Sequence, residues 1–205
     1  MLTKNHDQLV SEVNAHIAAD AVVQGVYWTG SHGCFIGCLA HSGSASVLGD
    51  RFGLPEPLVR ICERIFEVLA PDEAKAFFAA IPDAVGCDGK DLTRVHWGFL
   101  ALELQALPTV PDEIQAVIDP IIGGMLLLVS GQEWHGAAAA CADDCPEADA
   151  ATYATYAAYA AYACADAADA ATYAADAAAY AAGAAARLRQ RDTILRLIEK
   201  AQVVT

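Results

Sequence analysis

Between Val95 and Ala186 the chain has neither lysine nor arginine, while twelve Asp and Glu residues fall in that stretch. All twelve basic side chains lie outside it, against 26 acidic ones in the 205-residue chain, and the formal charge is −14. Such a surplus repels phosphate backbones and anionic lipid, which excludes direct gripping of nucleic acid or a membrane face. Long apolar runs are also missing. The aliphatic run Ile121 to Val129 holds nine residues, whereas a membrane span needs about 20. With only two methionines, there is no methionine-lined groove to bind partners. A P-loop, a G-x-G-x-x-G turn, an H-E-x-x-H helix and an EF-hand loop are all absent. Met1 to Asp7 is polar with no apolar stretch behind it, so no secretory signal is read there. Seven cysteines, an odd number, then read as reduced thiols in a cytoplasmic protein rather than as a disulfide frame.

Almost no segment alternates at period two, and the reading is an all-α fold. Leu9, Val10, Val13, Ile17 and Ala18 have helical spacing, with Thr3 as the expected N-cap. Gly25 to Gly33 has the glycine and aromatic content of a loop or short hairpin. Leu58, Ile61, Cys62, Ile65, Phe66 and Leu69 form one apolar face of a helix that opens at Pro55-Glu56-Pro57 and closes before Pro71. Further helices are expected over Asp72 to Ile81, over Asp91 to Leu107, and from Pro111 onward, where Pro120 should kink or divide the last.

Composition divides the chain into a helical globular body, residues 1–135, and an alanine-rich segment, residues 136–205. Between Glu147 and Ala186, 24 of 40 residues are alanine, the strongest helix former. The expectation is one long helix from 147 to about 201, roughly 80 Å at 1.5 Å per residue, packed on the body or used for oligomerisation. Its larger side chains, Tyr159, Tyr162, Asp166, Asp169, Tyr173, Asp176 and Tyr180, fall near one line and form a candidate interaction stripe.

Chemistry concentrates in Ser31 to His41. On a helix Cys34, Cys38 and His41 would share a face at i, i+4 and i+7, and thiolate with imidazole is the donor set zinc prefers. His32 is the candidate fourth ligand, and Cys141 with Cys145 repeats the spacing as a possible second half-site. The competing reading makes these thiols small core residues. A third makes Cys34 a nucleophile activated by a helix N-terminus, with His41 or His96 as base. Val47 to Pro55 followed by a helix has a helix-turn-helix flavour, but the second helix would present Leu58, Val59, Ile61 and Cys62 to DNA.

Val23-Gln24-Gly25-Val26-Tyr27-Trp28, Gly33-Cys34 to Gly37-Cys38, His41-Ser42, Leu48 to Pro55 and Ile65-Phe66-Glu67 resemble a group of bacterial and prophage-associated hypothetical proteins that also end in alanine-rich helices. The likeness covers about residues 20–70, and the tail by composition only. It implies a bacterial or mobile-element cytoplasmic setting and carries no catalytic residue. The resulting expectation is a non-enzymatic regulatory or interaction protein acting on a protein partner or on itself as a homo-oligomer, with a structural metal, zinc by its donors, at the Cys/His segment. Two alternatives stand beside it: a small cysteine- or metal-dependent enzyme centred on Cys34, Cys38 and His41, and an acidic inhibitor that mimics nucleic acid.

Overall fold

The computed structural model describes residues 1–107, 112–134 and 183–204. Eight helices are described: α1 (His6–Ala18), α2 (Phe35–Ala40), α3 (Ser46–Phe52), α4 (Glu56–Val68), α5 (Pro71–Val85), α6 (Val95–Gln105), α7 (Asp112–Ser130) and α8 (Ala184–Lys200). No strand occurs among the described residues, and extended pairing is confined to isolated bridges. The fold is all-α. None of the described helices is long and apolar enough to cross a membrane. The chain forms two compact units, one of residues 1–96 with 183–205, the other of residues 97–182.

In the first unit α5 is the hub, packed against α1, α4 and α8, while α2 rests on α1, α3 and α4. The spacing read in α4 is the reason it sits where it does. Leu58, Val59, Ile61, Cys62, Ile65 and Phe66 are all buried, and a reading helix exposing them to DNA is thereby excluded. Phe35, the first residue of α2, is the centre of an aromatic cluster. Its ring lies 6.4 Å from Phe66, 6.0 Å from Phe77 and 5.7 Å from Phe78, the last edge-on. All four rings are fully buried, each contributing about 1.5–3 kcal/mol of burial free energy. Six residues of α2 are too few to be stable alone, so this anchoring holds the helix.

Several boundaries differ from the sequence expectation. Asn5, not Thr3, precedes α1, in a left-handed conformation with no side-chain cap. Thr3 is buried, and its hydroxyl donates to the Cys87 carbonyl and accepts from the Lys90 N–H, both at 2.8 Å. The helix expected to end at Ile81 continues through Pro82 to Val85 and stops at Gly86, whose φ of 74° is open to glycine. α6 starts at Val95 because Asp91 and Leu92 are spent on other contacts: Asp91 pairs with Leu2 and accepts from the Thr93 N–H. Pro120 does not divide α7.

Both chain ends are tied into this unit. Thr3 N–H donates to the Lys90 carbonyl, Gly89 N–H to that of Thr3, Asp91 N–H to Gln202 and Val204 N–H to Gly89, all within 2.9 Å. Lys90 is buried among them. Its ammonium donates to the carbonyls of Ala84 and Glu199 at 3.0 and 3.1 Å, near the C-terminal ends of α5 and α8, where the helix dipoles favour a cation. α8 buries Ala186, Gln190, Thr193, Ile194 and Ile198 and pairs Arg191 with Glu73 of α5. Gly183 ahead of it has φ 76° and ψ −159°, outside helical values, so the helix expected from residue 147 does not run unbroken into α8. The rest of the alanine tract, with the stripe from Tyr159 to Tyr180, lies outside the described residues.

The charge divides with the units. The first has 14 acidic against 12 basic side chains, and the second has the other twelve acids with no lysine or arginine.

Candidate functional site

The segment Gly33-Cys34-Phe35-Ile36-Gly37-Cys38 is built around a backbone contact. Cys34 N–H donates to the Val26 carbonyl at 2.7 Å, and Gly33 N–H to that of Ala21 at 2.9 Å, laying the Gly25–His32 loop across α2. The Tyr27 carbonyl oxygen then fills the space a side chain would need at both glycines. A Cβ on Gly33 would lie 2.1 Å from it, and one on Gly37 only 1.2 Å. The regular spacing of small residues in this motif is therefore a seat for the Tyr27 carbonyl.

The two thiols point inward. Cys38 is fully buried, its Sγ 3.2 Å from the Gly33 carbonyl, and burial pushes its pKa up to about 11. Cys34 Sγ lies near the Tyr27 carbonyl and faces α4, where Cys34, Glu63 and Glu67 place one ligand atom each within 4.8 Å of one another. Glu63 accepts from the Ile36 N–H at 2.8 Å and Glu67 from the Gly25 N–H at 2.9 Å. Burial first, and Glu63 second, push the Cys34 thiol up to about 12, and burial holds the Glu63 carboxyl above its ordinary range. The expected lowering by a helix N-terminus is outweighed, since α2 has only six residues and the thiol is dry beside a carboxylate. Cys34 is thus a poor nucleophile, and a cation at this group would have to displace the thiol proton.

His41 leaves the face it was expected to share with Cys34 and Cys38. It is the C-cap of α2 at φ 51° and ψ 32°, which swings its ring away from the helix. The ring stacks on Trp28 at 4.8 Å and meets His16 of α1, with Nε2 to Nε2 at 3.2 Å. His16 also meets the Trp28 ring edge-on at 5.7 Å. Burial, then His41, hold the His16 imidazole below its ordinary pKa, against an opposing hydrogen bond to the Cys38 backbone. A cavity of about 210 Å³, lined by His16, Ile17, Asp20, Val22, Lys75 and Ala79, lies beside it. His32 is on the exposed loop, bonded through Nδ1 to Thr29 and Ser31 at 3.1 Å. His96, the other candidate base, is buried and pushed down to about 4.

Cys34, Cys38, His41 and His32 therefore do not converge on one point; the convergent sets are Cys34 with Glu63 and Glu67, and His41 with His16 and Trp28. Cys141 and Cys145 lie outside the described residues. Glu63 and Glu67 had a faint sequence signal, an i, i+4 carboxylate pair on the margin of the apolar face of α4. His16 had none, because its partner is 25 residues away. No protein-family model, curated protein or solved structure matches the chain.

Proposed function

We propose that the chain acts by binding rather than catalysis, through contacts with a protein partner or a second copy of itself, and that the Gly25–His32 loop is its contact surface. The observation that carries this reading is Tyr27. Its side chain leaves the residue 55% exposed, beside Val26 at 41%, while its own carbonyl is locked against Gly33 and Gly37. A large exposed ring on a fixed backbone meets a partner with little further loss of backbone freedom, and tyrosine is enriched among residues that dominate interface energetics. The near balance of charge in the first unit leaves this loop free of the strong repulsion that a charge of −14 suggests. The protonated Cys34 thiol and the displacement of His41 weigh against the enzyme alternative.

The test is a photo-crosslinking side chain placed at position 27 of the full-length chain in its native host, with solution mass measured on the purified protein. Crosslinked adducts at position 27 and none at exposed Asp50, or a multimer dissociated by Tyr27→Ser, support the reading. A monomer giving no adduct at position 27 removes it.

A further inference from the structure

We propose that His16 and His41 form a binding site for a single divalent transition-metal ion of the zinc class, separate from the thiols of α2. The site stands whether or not the Tyr27 loop meets a partner.

The first argument is distance. Zinc binds imidazole nitrogen at about 2.0–2.1 Å, so two nitrogens on a tetrahedral ion lie about 3.3 Å apart. The two Nε2 atoms are 3.2 Å apart. An ion can replace the proton they share once each ring turns modestly to aim its lone pair off the line between the two nitrogens. Two coordination positions are left to water or to an incoming carboxylate or imidazole.

The second argument is the backbone. His41 reaches this place only by adopting the left-handed region at φ 51°. Two other helix ends in this unit, at Gly53 and Gly86, place glycine at positive φ, while Asp20 after α1 and Asn5 before it are the other non-glycine residues there. An L-residue pays about 1–2 kcal/mol there, and strain retained at a side-chain-bearing residue points to a use for the side chain.

The third argument is the surroundings. Trp28 stacks on the His41 ring and meets His16 by its edge, so both imidazoles are held in orientation. His16 also leans on the Cys38 backbone carbonyl, the kind of outer contact that fixes which ring nitrogen is free to ligate. The charged groups nearby are Glu12, one turn before His16, and Arg51 of α3. Arg51 is committed to Glu12 and to the Leu39 carbonyl. The second carboxylate oxygen of Glu12 is buried with no hydrogen-bond partner, but Glu12 is not close enough to both imidazoles to join them as a third ligand.

The experiment uses the full chain, stripped with a chelator and titrated with Zn²⁺ at pH 7.5 by calorimetry, and with Cu²⁺ as a quencher of tryptophan fluorescence. His41→Gly is the informative variant, because it removes the imidazole and the left-handed strain together, so the metal-free fold should melt no more than a few degrees below wild type. The expected result is one zinc equivalent, weakened at least tenfold in both His16→Gln and His41→Gly and unchanged in Cys34→Ala. Zinc should raise the melting temperature of wild type and of neither His variant, and Trp28→Phe should abolish most of the Cu²⁺ quenching. No zinc uptake, or uptake that survives both His variants, leaves only a hydrogen-bonded pair and overturns the proposal. Uptake lost in Cys34→Ala but kept in the His variants moves the ion to the Cys34, Glu63 and Glu67 group and overturns it equally.

Discussion

Gly37→Ala separates local helix preference from tertiary packing, because the two predict opposite signs. Gly37 lies inside α2, and alanine is the better helix former by about 1 kcal/mol, so propensity alone predicts a more stable protein. The packing predicts the reverse. The new Cβ would sit 1.2 Å from the Tyr27 oxygen and 2.3 Å from its carbonyl carbon. Real Cβ atoms essentially never approach closer than 3.0 Å, so the loop backbone must retreat by nearly 2 Å. Neither neighbour is the far end of a flexible side chain, and no rotamer change relieves the clash. Retreat breaks the Cys34 N–H bond to the Val26 carbonyl and loosens the Thr29 N–H bond to His32. It also lifts Trp28 from His41.

Two backbone hydrogen bonds at about 0.5–1.5 kcal/mol each and a stacked aromatic pair at about 0.5–1.5 kcal/mol outweigh the propensity gain. The net loss is about 1–3 kcal/mol. For a unit of this size the melting temperature should fall by roughly 4–12 °C. Thermal melts followed by circular dichroism read the effect. Gly123→Ala is the control, since nothing lies within 4 Å of its Cβ position in α7, and it should lower neither helicity nor melting temperature. A Gly37→Ala protein as stable as wild type, or more so, would refute the seat assigned to the Tyr27 carbonyl.

Two further outcomes follow from the same site. Glu63 holds its proton more tightly in the fold than in the unfolded chain, because its carboxyl is raised by burial. That contribution is present at acid pH and is lost as pH rises through the raised value. Glu63→Gln, neutral throughout, should therefore melt above wild type at pH 8, with the gap closing toward pH 5; a gap that widens on acidification contradicts the sign. Cys87 is exposed while Cys34, Cys38 and Cys62 are buried, and burial holds all three buried thiols protonated. In the folded protein, iodoacetamide followed by peptide mapping should label Cys87 at least tenfold faster than those three. Equal or faster labelling of Cys34 would restore it as a nucleophile.

The helical class, the buried face of α4 from Leu58 to Phe66, and the segregation of charge that leaves residues 97–182 without lysine or arginine are legible along the chain. Those properties are local. Periodicity says which face of a helix is apolar, and composition says where charge lies, without reference to any distant residue. What Gly33 and Gly37 are for depends on the assembled fold, since the atom that needs their missing side chains belongs to Tyr27. The fold also decided the fate of the Cys/His segment. Spacing places His41 on the face of Cys34 and Cys38 if the helix continues, but the chain turns left-handed at His41, and the ring joins His16 instead. Glu63 and Glu67 meet Cys34 because the aromatic cluster around Phe35 draws α2 onto α4. Composition makes α8 the end of a long tail, yet Gly183 starts it afresh, and its buried Ile194 and Ile198 pack it into the same unit as the N-terminus. In each case the deciding contact lies outside the helix concerned, and spacing along one helix carries no record of the backbone that will lie against it.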